Sequence, residues 1–173
     1  MKQKEKFISL AKYGLLLAVV LIITSALKHG ILSNPSDTIL MFCNLVLIFP
    51  AYIFCLFKGI KFAKEKIYID NFSKIKGILS GLFIGLIAAI LFSIYTFIET
   101  KISPEYYANQ LQQQIEMISQ LELSQEDFTK QYNEIIAVNK THYYILSSFF
   151  TTILGAGLVS LFATTFLYKN QIK

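Results

Sequence analysis

Four long apolar runs, each about as long as a bilayer is thick, leave this chain few folds to choose from. They are residues 7–27 (FISLAKYGLLLAVVLIITSAL), 38–57 (TILMFCNLVLIFPAYIFCLF), 77–98 (GILSGLFIGLIAAILFSIYTFI) and 144–168 (YILSSFFTTILGAGLVSLFATTFLY). A helix needs about 20 apolar residues to cross roughly 30 Å of hydrocarbon, and every run meets that length. Only the first holds a charge, Lys12. It lies near one end, where a lysine stem reaches back to the headgroups. Barrel strands are shorter and alternate in polarity, so helices fit and a barrel does not. The hydrophobic fraction of 54% decides little by itself, because soluble domains also run near half apolar. The distribution decides. The expectation is an all-α membrane protein with four transmembrane helices in a single integral membrane domain over residues 1–173, and an extracytoplasmic helical hairpin between helices three and four.

The start of the chain allows a second reading. MKQKEK ahead of an apolar stretch, with Thr24 and Ala26 near a cleavage point, has the form of a secretory signal. The length and bulk of the run argue for a retained first span.

The chain has no arginine, so lysine sets the orientation. Lys2, Lys4, Lys6 and Lys12 mark the N-terminal end, and Lys169 and Lys173 the C-terminal tail. Lys58, Lys61, Lys64, Lys66, Lys74 and Lys76 crowd the link between spans two and three. Positive residues stay on the cytoplasmic side, which places both termini in the cytoplasm of a multi-pass protein of the bacterial inner membrane. The formal net charge of +5 is thus a topology signal; no nucleic-acid partner is expected from it. The six linking lysines also form a candidate contact for anionic lipid headgroups.

Within the apolar runs, small residues fall into lines. Gly77, Gly81, Gly85, Ala89 and Ser93 recur every fourth place, and so do Ser148, Thr152, Ala156, Ser160 and Thr164. Residues four apart share a helix face. In lipid, helices associate through close backbone approach over small residues rather than through apolar burial. The two lines therefore predict an antiparallel seam between helices three and four, with a homodimer seam or a lipid groove as alternatives. Leu82 and Phe83 are expected to face lipid. Helix one has a shorter small face at Ala11, Gly14 and Ala18, and Pro50 predicts a kink in helix two.

Residues 99–143 carry seven acids (Glu99, Glu105, Glu116, Glu122, Glu126, Asp127, Glu134) against Lys101, Lys130 and Lys140. Ser103-Pro104 reads as a helix start, and Tyr107, Leu111, Ile115, Ile118 and Leu121 follow at helical spacing. Ser124 opens a second helix with a near capping box in which Asp127 replaces the usual Glu. Phe128, Tyr132, Ile135 and Ile136 continue the period. The hairpin so defined covers about residues 103–140. Helices lying flat on a membrane usually carry basic polar faces, so the acidic charge favours a standing hairpin over one lying on the leaflet. Tyr95, Tyr143 and Tyr144 are expected at headgroup depth.

No catalytic motif is present: no GxSxG, HExxH, CxxC or phosphate loop. His29, His142 and Glu99 share a depth at the outer surface, which is the ordinary place for such residues and only a remote zinc set. Glu126-Asp127 suits a helix N-terminus better than a calcium loop. Cys43 and Cys55 lie about 18 Å apart along one helix and cannot pair. The mid-membrane polar set is thin: Asn44, Ser80, Thr151, Thr152 and Ser160. Intramembrane carboxylates of an ion-coupled pump are missing from it. No catalytic, cofactor or metal residue is assigned.

The basic link, the small-residue third span and the run ISPEYYANQ beyond it resemble the bacterial membrane family known as domain of unknown function 4199. The resemblance covers nearly the whole chain. It defines no catalytic residues to carry over, and it implies an envelope glycosyltransferase as the kind of membrane protein partner. The functional expectation is a non-enzymatic accessory or assembly subunit of an envelope complex, with a small transporter or lipid-binding protein as the alternative. The bilayer is the certain partner, and a homo-oligomer is left open.

Overall fold

The computed structural model describes residues 3–30, 42, 44–69, 71–121 and 123–169. Among them are six α-helices and no strand: α1 (Gln3–Gly30), α2 (Phe49–Phe62), α3 (Lys74–Ile102), α4 (Pro104–Ser119), α5 (Gln125–Val138) and α6 (Thr141–Lys169). Wider π-type turns, Asn44–Ile48 and Ala63–Ile67, extend α2 at both ends. Four stretches are long and apolar enough to cross a membrane: Glu5–Leu27, Leu45–Ile67, Lys74–Ile102 and Thr141–Lys169. This is the pattern of a multi-pass membrane protein.

The second span ends later than its hydropathy suggests. Residues 38–41 and Cys43 lie outside the described residues. At the other end the helix runs past Phe57 to Ile67, so Lys58, Lys61, Lys64 and Lys66 stand on helical turns rather than in a loop. The reason is packing. Ile60 and Ala63 are fully buried, and Gly59 lies so close to Ile84 and Tyr13 that a Cβ there would overlap Ile84. Lys58 and Lys61 turn the other way, into the open. Pro50 lies inside the helical run. It sits in the first turn of α2, directly after the π-type turn. Because the π-type turn continues the helix upstream, Pro50 removes a helical N–H, and the wider turn before it is where the hydrogen-bond ladder changes step.

The chain divides into two compact units. One comprises the residues up to Phe92 and those from Phe149 on; the other is Ser93–Ser148. In the first unit, α1 packs on α2 through Tyr13 and Phe62, whose ring centroids are 6.2 Å apart. It packs on α3 through Gly14, where a Cβ would stand 2.8 Å from the Ile84 carbonyl oxygen. Leu10, Leu17, Leu56, Ile60 and Ile84 form the buried centre. Helix α2 reaches α6 through Tyr52, which donates to the Thr152 carbonyl at 3.4 Å. It does so again through Lys64, whose Nζ donates to the Leu167 carbonyl at 2.8 Å. That carbonyl belongs to the last described turn of α6.

In the second unit, α4 and α5 pack on each other as a hairpin. Ser124 caps α5: its Oγ accepts from the Asp127 N–H at 3.2 Å and donates to Asp127 Oδ2 at 2.6 Å. The acid thus accepts from the Ser124 hydroxyl, whereas the reciprocal bond of a full capping box would come from the Ser124 backbone N–H. Pro104 starts α4, while the Ser103 side chain makes no cap bond. Glu122 lies outside the described residues.

Candidate functional site

The most chemically distinct cluster lies in the second unit and is built around Glu99. Helix α3 ends where Pro104 denies it another N–H; the last backbone bond runs from Ser103 N to the Glu99 carbonyl, at 2.9 Å. At Ser103 the backbone leaves the helical region (φ −124°, ψ 57°) and α4 starts in a new direction. That turn brings Tyr107 back onto the acid it follows by eight residues. Tyr107 donates to Glu99 Oε2 at 3.1 Å, and Tyr95, one helical turn before Glu99, donates to Oε1 at 2.7 Å. Glu99 is 6% exposed. A buried carboxylate needs its oxygens satisfied, and here each has a phenol donor.

The network continues away from the acid. The Tyr107 ring meets that of Tyr144 edge-on, with centroids 4.6 Å apart. Tyr144 donates to Asn139 Oδ1. Asn139, the C-cap of α5, donates from Nδ2 to Gln114 Oε1 at 2.8 Å and to the Ile135 carbonyl at 2.9 Å. Beside it, Gln110 donates to the Tyr106 hydroxyl at 2.8 Å. Residues from α3, α4, α5 and α6 are thereby joined by hydrogen bonds and one ring contact.

Burial, the charge of Glu99 and the bond to its carboxylate all hold the Tyr107 phenol well above its ordinary range. Burial and then the same charge raise Tyr106. Raised phenols keep their protons at neutral pH and are poor nucleophiles. The phenols are thus suited to act as hydrogen-bond donors to the buried Glu99 carboxyl group.

Eight of the ten small residues of the sequence lines meet in pairs. A Cβ on Gly77 would stand 2.5 Å from Thr164 Cγ2 and 2.7 Å from its Oγ1; one on Gly81 would overlap Ser160, and one on Gly85 would overlap Ala156. Ala89 and Thr152 are both buried. In the second unit, Ser93 and Ser148 meet with hydroxyls 3.3 Å apart. From Gly77 to Gly85, each step of four along α3 is answered by a step of four back along α6. Ser160 turns its hydrogen to the Ala156 carbonyl at 2.5 Å, which leaves its oxygen facing the bare Gly81 backbone, a place for a weak Cα–H···O contact. The buried Thr164 Oγ1 has no hydrogen-bond partner among the described residues and faces Gly77 in the same way.

Other expectations meet a different structure. Leu82 and Phe83 are half-buried, and Phe83 packs on the Phe7 ring at 6.1 Å; the exposed positions of α3 are Leu79, Leu86, Ile90 and Ile94. The helical repeat is not a multiple of four, so a face read from glycines alone drifts. Tyr95 donates to Glu99, and Tyr144 joins the same network through Tyr107 and Asn139. His142 is exposed beside Tyr143, and the side chains of His29 and Asn44 lie outside the described residues. Among the described residues no three His, Cys, Asp or Glu side chains gather as a metal set.

A family profile described as Protein of unknown function (DUF4199) matches residues 12–169, and the chain belongs to that family. No curated protein and no solved structure matches it.

Proposed function

We propose that the protein is a non-enzymatic accessory or assembly subunit of an envelope complex. In this reading it lies in a bacterial inner membrane with both termini cytoplasmic, and the α4–α5 hairpin on the far side is its docking element. The carrying observation is the hairpin's form. It is folded, tied by the Glu99 network, and still presents Glu105, Gln112, Gln113, Glu116 and Glu126 exposed. Such a surface suits a basic or neutral partner better than an anionic lipid surface. An envelope glycosyltransferase is the partner class implied by the family resemblance. The lysine distribution supports the orientation. The rival transporter or lipid-groove reading needs an open seam between α3 and α6, and the contacts at Gly77, Gly81 and Gly85 fill that seam with the protein's own side chains.

The test replaces residues 105–139 with a short Gly-Ser linker and compares affinity capture from mild detergent. Insertion should persist, while partner capture and complementation should be lost. Full complementation with the same partner retained would make the hairpin a mere connector and end this reading.

A further inference from the structure

The six lysines between spans two and three are not equivalent once folded. Lys64 is committed to the Leu167 carbonyl at 2.8 Å and Lys76 to the Asn71 carbonyl at 2.8 Å. Lys61 pairs with Glu65 at 3.7 Å. Lys74 lies over the Tyr168 ring, 5.4 Å from its centroid. Lys58 and Lys66 make no hydrogen bond or ion pair with any described residue.

Those two differ in what lies beside them. Lys58 closes one end of a shallow cavity of about 310 Å³, whose remaining lining is Pro50, Ile53, Phe54 and Phe57. These positions repeat at three and four residues, so they form one face of α2. Ile53 and Phe54 are 44% and 54% exposed. On one side Phe57 leans on Phe166 of α6, with ring centroids 5.8 Å apart. The face is thus an apolar trough roughly 12 Å long, with an unpaired ammonium at one end.

We propose that this trough holds one anionic phospholipid, its acyl chain along Pro50, Ile53, Phe54 and Phe57 and its phosphate on Lys58. The polarity of the site matches a lipid end to end: the walls are apolar, Lys58 is the first of the four lysines that follow one another along α2 to Ile67, and its charge is opposite to that of a phosphate. The trough is shorter than half of a roughly 30 Å hydrocarbon core, so it grips the part of the chain next to the headgroup. A second copy fits less well. Two like-oriented copies meeting on this face would set their Lys58 and Lys61 side chains against each other, a like-charge contact. The inference stands apart from the docking role of the hairpin, which involves none of these residues.

The experiment uses the full chain in detergent, exposed to mixed phosphatidylglycerol and phosphatidylcholine, washed, and weighed with its retained lipid by native mass spectrometry. Phosphatidylglycerol should be retained in preference. Lys58→Gln should cut that retention about fivefold, as expected for one lysine near a membrane surface. Lys58→Arg should keep it, and Phe54→Ala should weaken retention of both lipids. Lys66→Gln is the control, since Lys66 is equally unpaired but does not line the trough; it should change nothing. Equal loss in Lys66→Gln would show a diffuse charge effect and overturn the site. Equal retention of the two lipids would overturn it too, as would a dimer cross-linked through Ile53→Cys. An unchanged melting curve for Lys58→Gln excludes misfolding as the cause of its loss.

Discussion

The two compact units are held together by opposite means. Up to Phe92 and beyond Phe149, helices meet where side chains are smallest: Gly14 on Ile84, Gly59 on Ile84 and Tyr13, Gly81 on Ser160. Several small hydroxyls there bond their own helix, as Thr24 does to Val20, Ser80 to Lys76 and Ser160 to Ala156, although Tyr52 crosses to the Thr152 carbonyl. Between Ser93 and Ser148, helices meet through polar side chains of different elements: Glu99 with Tyr107, Asn139 with Gln114, Tyr144 with Asn139. The difference follows from the solvent. In hydrocarbon apolar burial gives helices little reason to associate, so shape complementarity over bare backbone must do it. The hairpin helices have exposed polar faces and little buried apolar surface; Ile118 is the one buried residue of α4, and α5 has none. Specific hydrogen bonds supply what a core would otherwise supply.

If this contrast holds, the largest loss comes from adding bulk to the seam. At Gly81 even a methyl group would collide with Ser160, so Gly81→Leu must push α3 and α6 apart. Overpacking of this kind costs about 3 kcal/mol, the upper end of its usual range. Leu86→Ile, on the exposed side of the same helix, should be nearly neutral. A detergent melting series that finds the two equally tolerated breaks the account of the seam.

The second unit should fail through chemistry rather than volume. Glu99→Ala removes two accepted bonds and leaves the Tyr95 and Tyr107 phenols without that acceptor, a cost of about 2 kcal/mol. Glu99→Gln keeps one carbonyl oxygen and should lose less. Amide hydrogen exchange should show the loss in α4, with the α1–α2 contact unaffected. Tyr107 adds a pH signature. Its phenol is raised in the folded state, so the folded form holds the proton more tightly than the unfolded form. Its contribution is complete below the ordinary phenol pKa of about 10 and declines as pH rises above that. Tyr107→Phe should flatten this alkaline limb, read as unfolding against pH. An unchanged limb would mean that the Glu99–Tyr107 bond does not hold α4.

The same contrast explains what the sequence discloses. The seam is legible because it is a periodic signal: a small residue every fourth place on two spans can be matched without knowing the fold. Helix number and the Ser124 cap are legible because both are local. Gly59 is not, since the hydropathy run ends at Phe57 and the lysines on either side make KGIK look like a loop. Only the contact with α1 and α3 shows why the helix continues. The Glu99 network is the least legible part. Tyr95 and Glu99 are one turn apart and could be paired by eye, but Tyr107 reaches them only after the chain turns at Ser103-Pro104. Asn139 and Gln114, 25 residues apart, meet only when the hairpin closes. No periodicity encodes a pairing of this kind.

The smallest effect sharpens the boundary between local and long-range control. Ser124 caps α5 by a bond inside four residues, and every participant is exposed. Ser124→Ala removes the acceptor for the Asp127 N–H and leaves that donor to water. The cost should be about 1 kcal/mol or less, as for other N-caps. Ser124→Asp should recover most of it, because an aspartate at the cap accepts the same N–H and carries the negative charge favoured at a helix start. The loss should show as faster exchange in the first turn of α5, with the Asn139–Gln114 and Glu99–Tyr107 bonds intact. If Ser124→Ala instead loosens α4 or the Glu99 cluster as strongly as Glu99→Ala does, the hairpin folds as one cooperative block with the network. The cap would then contribute to the whole second unit, and the division between local and long-range control would have to be redrawn.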